Sequence, residues 1–173
     1  MAYRICMRLL THRFALGFVS ALFCLVPAHA GDVTFVRIWP AYSTAGSFER
    51  ISEYFTGQEN TGGRTVLRSQ PAQRAGFYFL MRLENGGAAV AGVTFELSVV
   101  SPASATPHLY TFATDLPAGN HVFDCGLTGT DWPDAAAHPV AWKLVVRAPG
   151  GAEIASTQSF IWSKPDYIAP AAK

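Results

Sequence analysis

The sequence has 173 residues, of which half are hydrophobic, and its 13 basic side chains nearly balance its 12 acidic ones. A net charge of +1 leaves no basic excess to neutralise phosphates, which argues against nucleic-acid binding. The length suits one domain, large enough to form a core without disulfides.

The first thirty residues have the three-part order of a secretory signal peptide. A basic start is followed by an apolar run of 13 residues, 14–26, and by the small-residue motif Ala28-His29-Ala30. That run is shorter than the roughly 20 residues that a membrane span requires. We therefore predict cleavage before Gly31 and export to the periplasm or the cell exterior. The remaining 143 residues would carry a net charge of about −2.

Residues 32–39 predict a first strand that ends at Pro40. The stretch from about residue 40 to residue 75 then departs from the strand pattern. Phe48, Ile51 and Phe55 recur at helical spacing, and Ser47 can cap a helix, so a short helix is predicted from Ser47 to Phe55. Residues 64–69 predict an extra strand, and 71–75 a turn.

The clearest strand covers residues 76–84, where alternating apolar residues share one face. A turn at Asn85-Gly86-Gly87 leads to a second such strand over 92–100. Four further strands are predicted, at 108–114, 121–125, 140–147 and 153–162. The loop 126–139 is rich in Gly, Pro and Asp and contains Trp132, whereas Trp39 and Trp142 fall in strand patterns and are predicted to be core residues. Residues 164–173 are predicted to be a flexible tail.

Seven strands in this order resemble an immunoglobulin-like or fibronectin type III β-sandwich. The resemblance depends on Asn85-Gly86, on Leu116-Pro117-Ala118-Gly119, and on Trp142 before a Gly-Gly hairpin. It implies an all-β domain over 31–163, with the strands that begin at 33, 76 and 121 in one sheet and the others in the second. The insertion at about 40–75, with its short helix, is absent from a plain sandwich of this type. We therefore expect the function that is specific to this protein to lie there.

Arginines cluster in and after the insertion, at Arg64, Arg68 and Arg74. Arginine forms planar, bidentate contacts with carboxylates and stacks on aromatic rings, so these residues with Tyr54 are candidates for binding an anionic sugar or a partner protein. The alternative is that they pair with nearby glutamates and fix the insertion to the sheet. Trp132 is the second binding candidate, as an exposed loop anchor, or else it plugs the end of the sandwich.

Catalytic or metal chemistry has weaker support. After signal cleavage Cys125 is the single cysteine, so an internal disulfide is excluded and a buried thiol is expected. Together with His121 and His138 it could supply zinc ligands or a nucleophile, but none of the tight ligand spacings of such sites is present. Glu49 and Glu53 could form a glycosidase pair, although neighbouring arginines would hold both ionised.

We therefore predict an exported, non-enzymatic binding module of the bacterial cell envelope, without cofactor or metal. It would recognise a protein or a glycan through the 40–75 insertion or the Trp132 loop. The alternatives are a secreted hydrolase or metal-binding protein that uses His121, Cys125 and His138, and a structural envelope subunit. Cys24 as a lipid anchor is disfavoured, because Phe23 precedes it where a small residue is usual.

Overall fold

The computed structural model describes residues 33–163, so the predicted signal peptide and the predicted tail 164–173 lie outside the described residues. Eight strands and one α-helix follow one another along this part of the chain. Their bounds are β1 (Val33–Ser43), α1 (Ile51–Thr56), β2 (Thr65–Arg68), β3 (Gly76–Asn85), β4 (Val90–Ser101), β5 (Ser104–Leu116), β6 (Gly119–Thr128), β7 (Ala141–Arg147) and β8 (Glu153–Gln158). Two short 3₁₀ turns complete them, Ala45–Phe48 and Gly129–Asp131.

The strands form two four-stranded sheets. The first sheet has the order β1-β3-β6-β2 and the second has the order β5-β4-β7-β8. The predicted division of the seven scaffold strands between two sheets is confirmed, and the extra strand joins the first sheet as β2, parallel to β6. The protein is therefore an all-β, immunoglobulin-like sandwich with one short helix in an insertion.

The core lies between the inner faces of the two sheets, where the period-two pattern places the large apolar residues. Strands β3, β4, β6 and β7 provide most of it, because they are the central strands and are covered on this face by the opposite sheet. Its fully buried large side chains are Phe77, Phe79, Met81, Leu83, Val93, Phe95, Leu97, Val99, Leu116, Phe123, Leu127 and Leu144.

The first strand is longer than predicted. It continues through Pro40 to Ser43, because β1 is an edge strand, and an edge strand tolerates a residue that has no backbone N–H. A bulge between Phe35 and Arg37 also shifts the alternation, so that Trp39 lies on the outer face of the first sheet. The prediction that Trp39 is a core residue was wrong, since 39% of it is exposed.

Other boundaries also moved. Strand β6 extends to Thr128, into the predicted loop, because residues 126–128 pair with β3. Strand β8 ends at Gln158, and residues 160–163 form turns instead of completing a strand to Trp162. Asn85, predicted as a turn residue, is instead the last residue of β3, and its buried side-chain N–H groups donate to the carbonyls of Ala88 and Pro117.

The helix prediction was correct in place and wrong in detail. Ser47 lies in the first 3₁₀ turn, and α1 begins at Ile51 after an Arg50 that makes no side-chain cap. The helix ends at Thr56 and is followed by Gly57, which adopts the left-handed conformation at φ 66° that favours glycine. Among residues 33–163, the structure contains no helix of the length and apolar character that crossing a membrane requires.

Candidate binding surfaces

The insertion, defined here as residues 44–75, covers part of the outer face of the first sheet. Phe48 is buried there and packs on Tyr78 of β3, with the two ring centroids 4.7 Å apart. Tyr78 in turn lies over Gly126 of β6, where an added Cβ would come within 2.3 Å of the tyrosine ring. The glycine therefore permits this tyrosine to lie flat on the sheet, and the insertion is built upon that ring.

Arg68 of β2 is the central cation of this layer. Its guanidinium donates two hydrogen bonds to the Glu59 carboxylate and one, at 2.9 Å, to the Tyr78 hydroxyl. It also stacks on Phe48, 4.9 Å from the ring centroid. Only 9% of the Arg68 side chain is exposed. The hydrogen bonds from Arg68 lower the pKa of Glu59, so this ion pair stabilises the insertion at neutral pH.

Arg74 connects the helix to the same layer. Its Nη1 donates to Glu53 of α1 at 2.9 Å, and its Nε lies 3.9 Å from Glu59. The second oxygen of Glu53 accepts the backbone N–H of Asn60, and Asn60 Nδ2 donates to Ser52 at 2.9 Å. One side of α1 is thus held by hydrogen bonds and an ion pair.

Arg64 contacts a buried carboxylate. Its Nη1 lies 3.4 Å from Asp124 Oδ2, and the Asp124 side chain is only 5% exposed. Asp124 Oδ1 is the one buried side-chain polar atom within residues 33–163 that has no hydrogen-bond partner. Burial raises the Asp124 pKa to about 6, and the attraction of Arg64 and Arg68 offsets this only in part.

These contacts determine the role of the three predicted arginines. Arg64, Arg68 and Arg74 do come together around the insertion, as the sequence suggested. Each of them pairs with a carboxylate of the chain itself, namely Asp124, Glu59 and Glu53. The geometry therefore matches the alternative in which the arginines fix the insertion to the sheet.

The other side of α1 is apolar and faces solvent. Ile51, Tyr54 and Phe55 are spaced as one helical face and are exposed to 83%, 95% and 83%. We call these three residues the α1 face. Its spacing predicted a helix correctly, but the residue that turns inward is Phe48, from the 3₁₀ turn before it. Tyr54, a predicted binding residue, is thus the most exposed member of an apolar surface.

Trp132 is buried, with 4% of its surface exposed, because the loop after β6 folds back over the end of the sandwich. Its ring lies 5.2 Å from Phe77, and its indole N–H donates to the Ala137 carbonyl at 3.3 Å. Two adjoining cavities of about 300 and 360 Å³ lie beside it, and both are also lined by Asp131. Trp132 is therefore a plug that covers the end of the core, and not an exposed anchor of the loop.

The residues considered for catalysis do not assemble. Cys125 is fully buried, and burial together with Asp124 raises the pKa of its thiol, which disfavours the thiolate that a nucleophile or metal ligand requires. His121 donates to the Ala118 carbonyl, whereas His138 lies edge-on to Phe77. In the described part of the chain, no three Cys, His, Asp or Glu side chains are arranged to hold a metal ion.

The two carboxylates of the possible glycosidase pair, Glu49 and Glu53, lie in different environments. Glu53 is tied to Arg74, while Glu49 is exposed at the end of the first 3₁₀ turn and makes no ion pair within residues 33–163. A glycosidase needs two carboxyl groups that are free to act on one substrate, whereas Glu53 is engaged by Arg74 and by the backbone N–H of Asn60.

A second exposed surface was missed by the sequence analysis. Arg37 of β1 and Arg82 of β3 are directly opposite each other in the register, and both are exposed. Arg37 stacks on Trp39, with its guanidinium carbon 4.6 Å from the ring centroid. We call Arg37, Trp39 and Arg82 the Arg–Trp surface. The Arg-x-Trp spacing in β1 indicates that Arg37 and Trp39 share a face of the strand. Because Trp39 was predicted to be a core residue, this exposed pair was not recognised.

No protein-family model matches the sequence, and comparison with curated proteins gives no match. Among solved structures, the chain is similar to an immunoglobulin-like protein from Pseudomonas aeruginosa. The two are 18% identical, the similarity covers 75% of this chain and 96% of that one, and the TM-score is 0.30.

Proposed function

We propose that this protein is an exported, non-enzymatic binding module of the bacterial cell envelope, and that it recognises a protein partner through the α1 face. The observation that carries the proposal is the exposure of Ile51, Tyr54 and Phe55, three large apolar side chains on one helical face. Aromatic and aliphatic side chains of this kind are the usual energetic centres of protein interfaces.

The rigidity of the insertion supports this role. Arg74 holds Glu53 on the opposite side of the helix, and Arg68 holds Glu59 against Tyr78, so the α1 face is presented on a fixed base. A preorganised surface loses little conformational entropy when it binds, which favours affinity. A protein partner is favoured over a glycan here because the face itself is apolar and includes an isoleucine, whereas sugar hydroxyls require polar partners.

A site-specific photo-crosslinker tests the proposal. Placed at position 54 in the producing cell, it should capture one dominant partner, and the same probe at the exposed Leu109 of β5 should not. In the purified pair, Tyr54→Ser with Phe55→Ser should weaken binding at least about tenfold, since each removed anchor contributes on the order of 1–2 kcal/mol. Leu109→Ser is the matched control.

Because the mutated side chains are exposed, the thermal midpoint should change little in the double variant and in the control variant. Capture that is equal at positions 54 and 109, or binding that survives the double substitution, would show that the α1 face is not the recognition site.

Export is tested separately by the intact mass of the protein recovered from the periplasm or the medium. A chain that begins at Gly31 is expected, and recovery of a chain that retains Met1–Ala30 would contradict export by signal cleavage.

A further inference from the structure

We propose that the Arg–Trp surface is a second binding site, for the carboxylate groups of an acidic sugar polymer. It lies on the outer face of the first sheet and is formed by β1 and β3, without any residue of the insertion. The inference is independent of the partner proposed for the α1 face.

The first argument is charge. Seven arginines lie within residues 33–163, and the four at positions 64, 68, 74 and 147 each pair with a carboxylate. Arg37 and Arg82 have no such partner in this part of the chain, although they face each other across adjacent strands. Like charges placed directly opposite each other destabilise a sheet, so a bound anion would relieve a repulsion that no carboxylate of residues 33–163 compensates.

The second argument is geometry. Stacking on Trp39 uses the face of the Arg37 guanidinium and leaves its in-plane N–H groups available as donors. Those donors have the fork geometry that binds a carboxylate through two hydrogen bonds. Trp39 is therefore a positioning residue, which holds Arg37 upright beside Arg82. The bulge in β1 contributes as well, because it places Val36 and Arg37 together opposite Arg82.

The third argument is the apolar border of the surface. Val36 is 51% exposed and Trp39 is 39% exposed, and the half-buried Leu80 is the cross-strand neighbour of Trp39. A sugar ring has an apolar C–H face that packs on such residues while its carboxylate reaches the arginines. Glu84, the next acidic residue along β3, forms no ion pair with Arg82, so neither Arg37 nor Arg82 is neutralised by a carboxylate of residues 33–163. Acidic sugars match this combination of two cations and an apolar strip.

Titration calorimetry with hexagalacturonate, a six-residue chain of a carboxylated sugar, tests the proposal. The purified protein should bind it, should bind more weakly as salt rises, and should not bind a neutral galactan of equal length. Arg37→Gln and Arg82→Gln should each reduce the affinity at least about tenfold, the effect of losing one charge-assisted pair. Trp39→Leu should reduce it several-fold, because Arg37 keeps its charge but loses its support.

Arg50→Gln is the matched control, because Arg50 is an exposed arginine on the insertion that makes no ion pair among the described residues. It should bind hexagalacturonate as tightly as the unmodified protein. Three outcomes would overturn the proposal: no binding of hexagalacturonate, equal weakening by Arg50→Gln, or tighter binding of a poly-glutamate peptide. The second would indicate general charge attraction, and the third an acidic protein as the ligand. Thermal midpoints of all variants within a few degrees exclude unfolding as the cause.

Discussion

Replacing Asp124 by asparagine should remove a pH-dependent loss of stability from the protein. The Asp124 carboxyl is buried on β6, and within residues 33–163 its Oδ1 has no hydrogen-bond partner and its one ion pair is the 3.4 Å contact with Arg64. Burial therefore outweighs the attraction of the arginines and raises the pKa from 3.8 to about 6. A difference of roughly two units corresponds to about 3 kcal/mol between the protonated and ionised forms.

Whether stability rises or falls with pH depends on which state, folded or unfolded, keeps Asp124 protonated. Between pH 4 and 6 the folded protein keeps Asp124 protonated while the unfolded chain ionises it, so raising the pH favours unfolding. The stabilisation that Asp124 provides is complete below its unfolded pKa and is lost as the pH rises through about 6. Glu59 acts in the opposite sense, because its pKa is lowered by Arg68.

The measurement is urea unfolding of the unmodified protein and of Asp124→Asn from pH 4 to pH 7.5, at constant salt. Subtracting the free energy of unfolding of one protein from that of the other at each pH cancels the contributions of Glu59 and the other shared titratable groups. The unmodified protein should lose about 2.4 kcal/mol relative to the variant across this range, most of the full difference of about 3 kcal/mol, because at pH 4 the unfolded chain is already partly ionised. In an Arg64→Gln background the loss should be larger, because Arg64 is the main charge that lowers the pKa of Asp124.

If the difference in the free energy of unfolding between the two proteins does not change with pH, the reasoning is refuted, because Asp124 would then have the same pKa in the folded and unfolded states. A difference that changes in the opposite direction would mean that the contact with Arg64 outweighs the cost of burial.

Three further predictions concern the packing of the insertion and the core. Arg68→Ala should lower the free energy of unfolding by about 3 kcal/mol, because the partly buried Glu59 loses both hydrogen bonds from Arg68 and keeps the more distant Arg74, at 3.9 Å, as its cation; a loss below about 1 kcal/mol in urea unfolding would mean that the pair is effectively solvated. Gly126→Ala should lower the thermal midpoint by several degrees through the clash with Tyr78, while Gly150→Ala, where an added Cβ meets no atom within 4 Å, should not, and equal midpoints would contradict the close packing. Cys125 should react with a thiol reagent only after denaturation, and Cys125→Ala should cost about 1–2 kcal/mol, whereas rapid labelling of the native protein would show that the thiol is accessible.

The scaffold could be predicted because its signals are local. In β3 and β4, residues two apart share a face, so the alternation of apolar side chains over 76–84 and 92–100 identified both strands and their inward faces. Turn residues such as Asn85 and Gly86 fixed where the strands separate. With strands and turns in place, the resemblance to the immunoglobulin-like sandwich was enough to divide them between two sheets.

Which surfaces remain free was decided by the tertiary structure alone. The helical spacing of Ile51 and Phe55 predicts a helix whichever way that face points, and the limited space over Tyr78 is filled by Phe48. The clustered arginines were visible in the sequence, but Arg64 meets Asp124 sixty positions away, a contact that no local pattern records.

The bulge in β1 is another feature that the sequence pattern did not reveal and that changed which residues are exposed. A single extra residue reverses which side chains face the core, and this placed Trp39 outside, beside two arginines that lack carboxylate partners within residues 33–163. Sequence patterns thus determined the strands, because strand formation depends on near neighbours. The free and occupied surfaces depend on contacts between distant segments, and only the folded chain defines those.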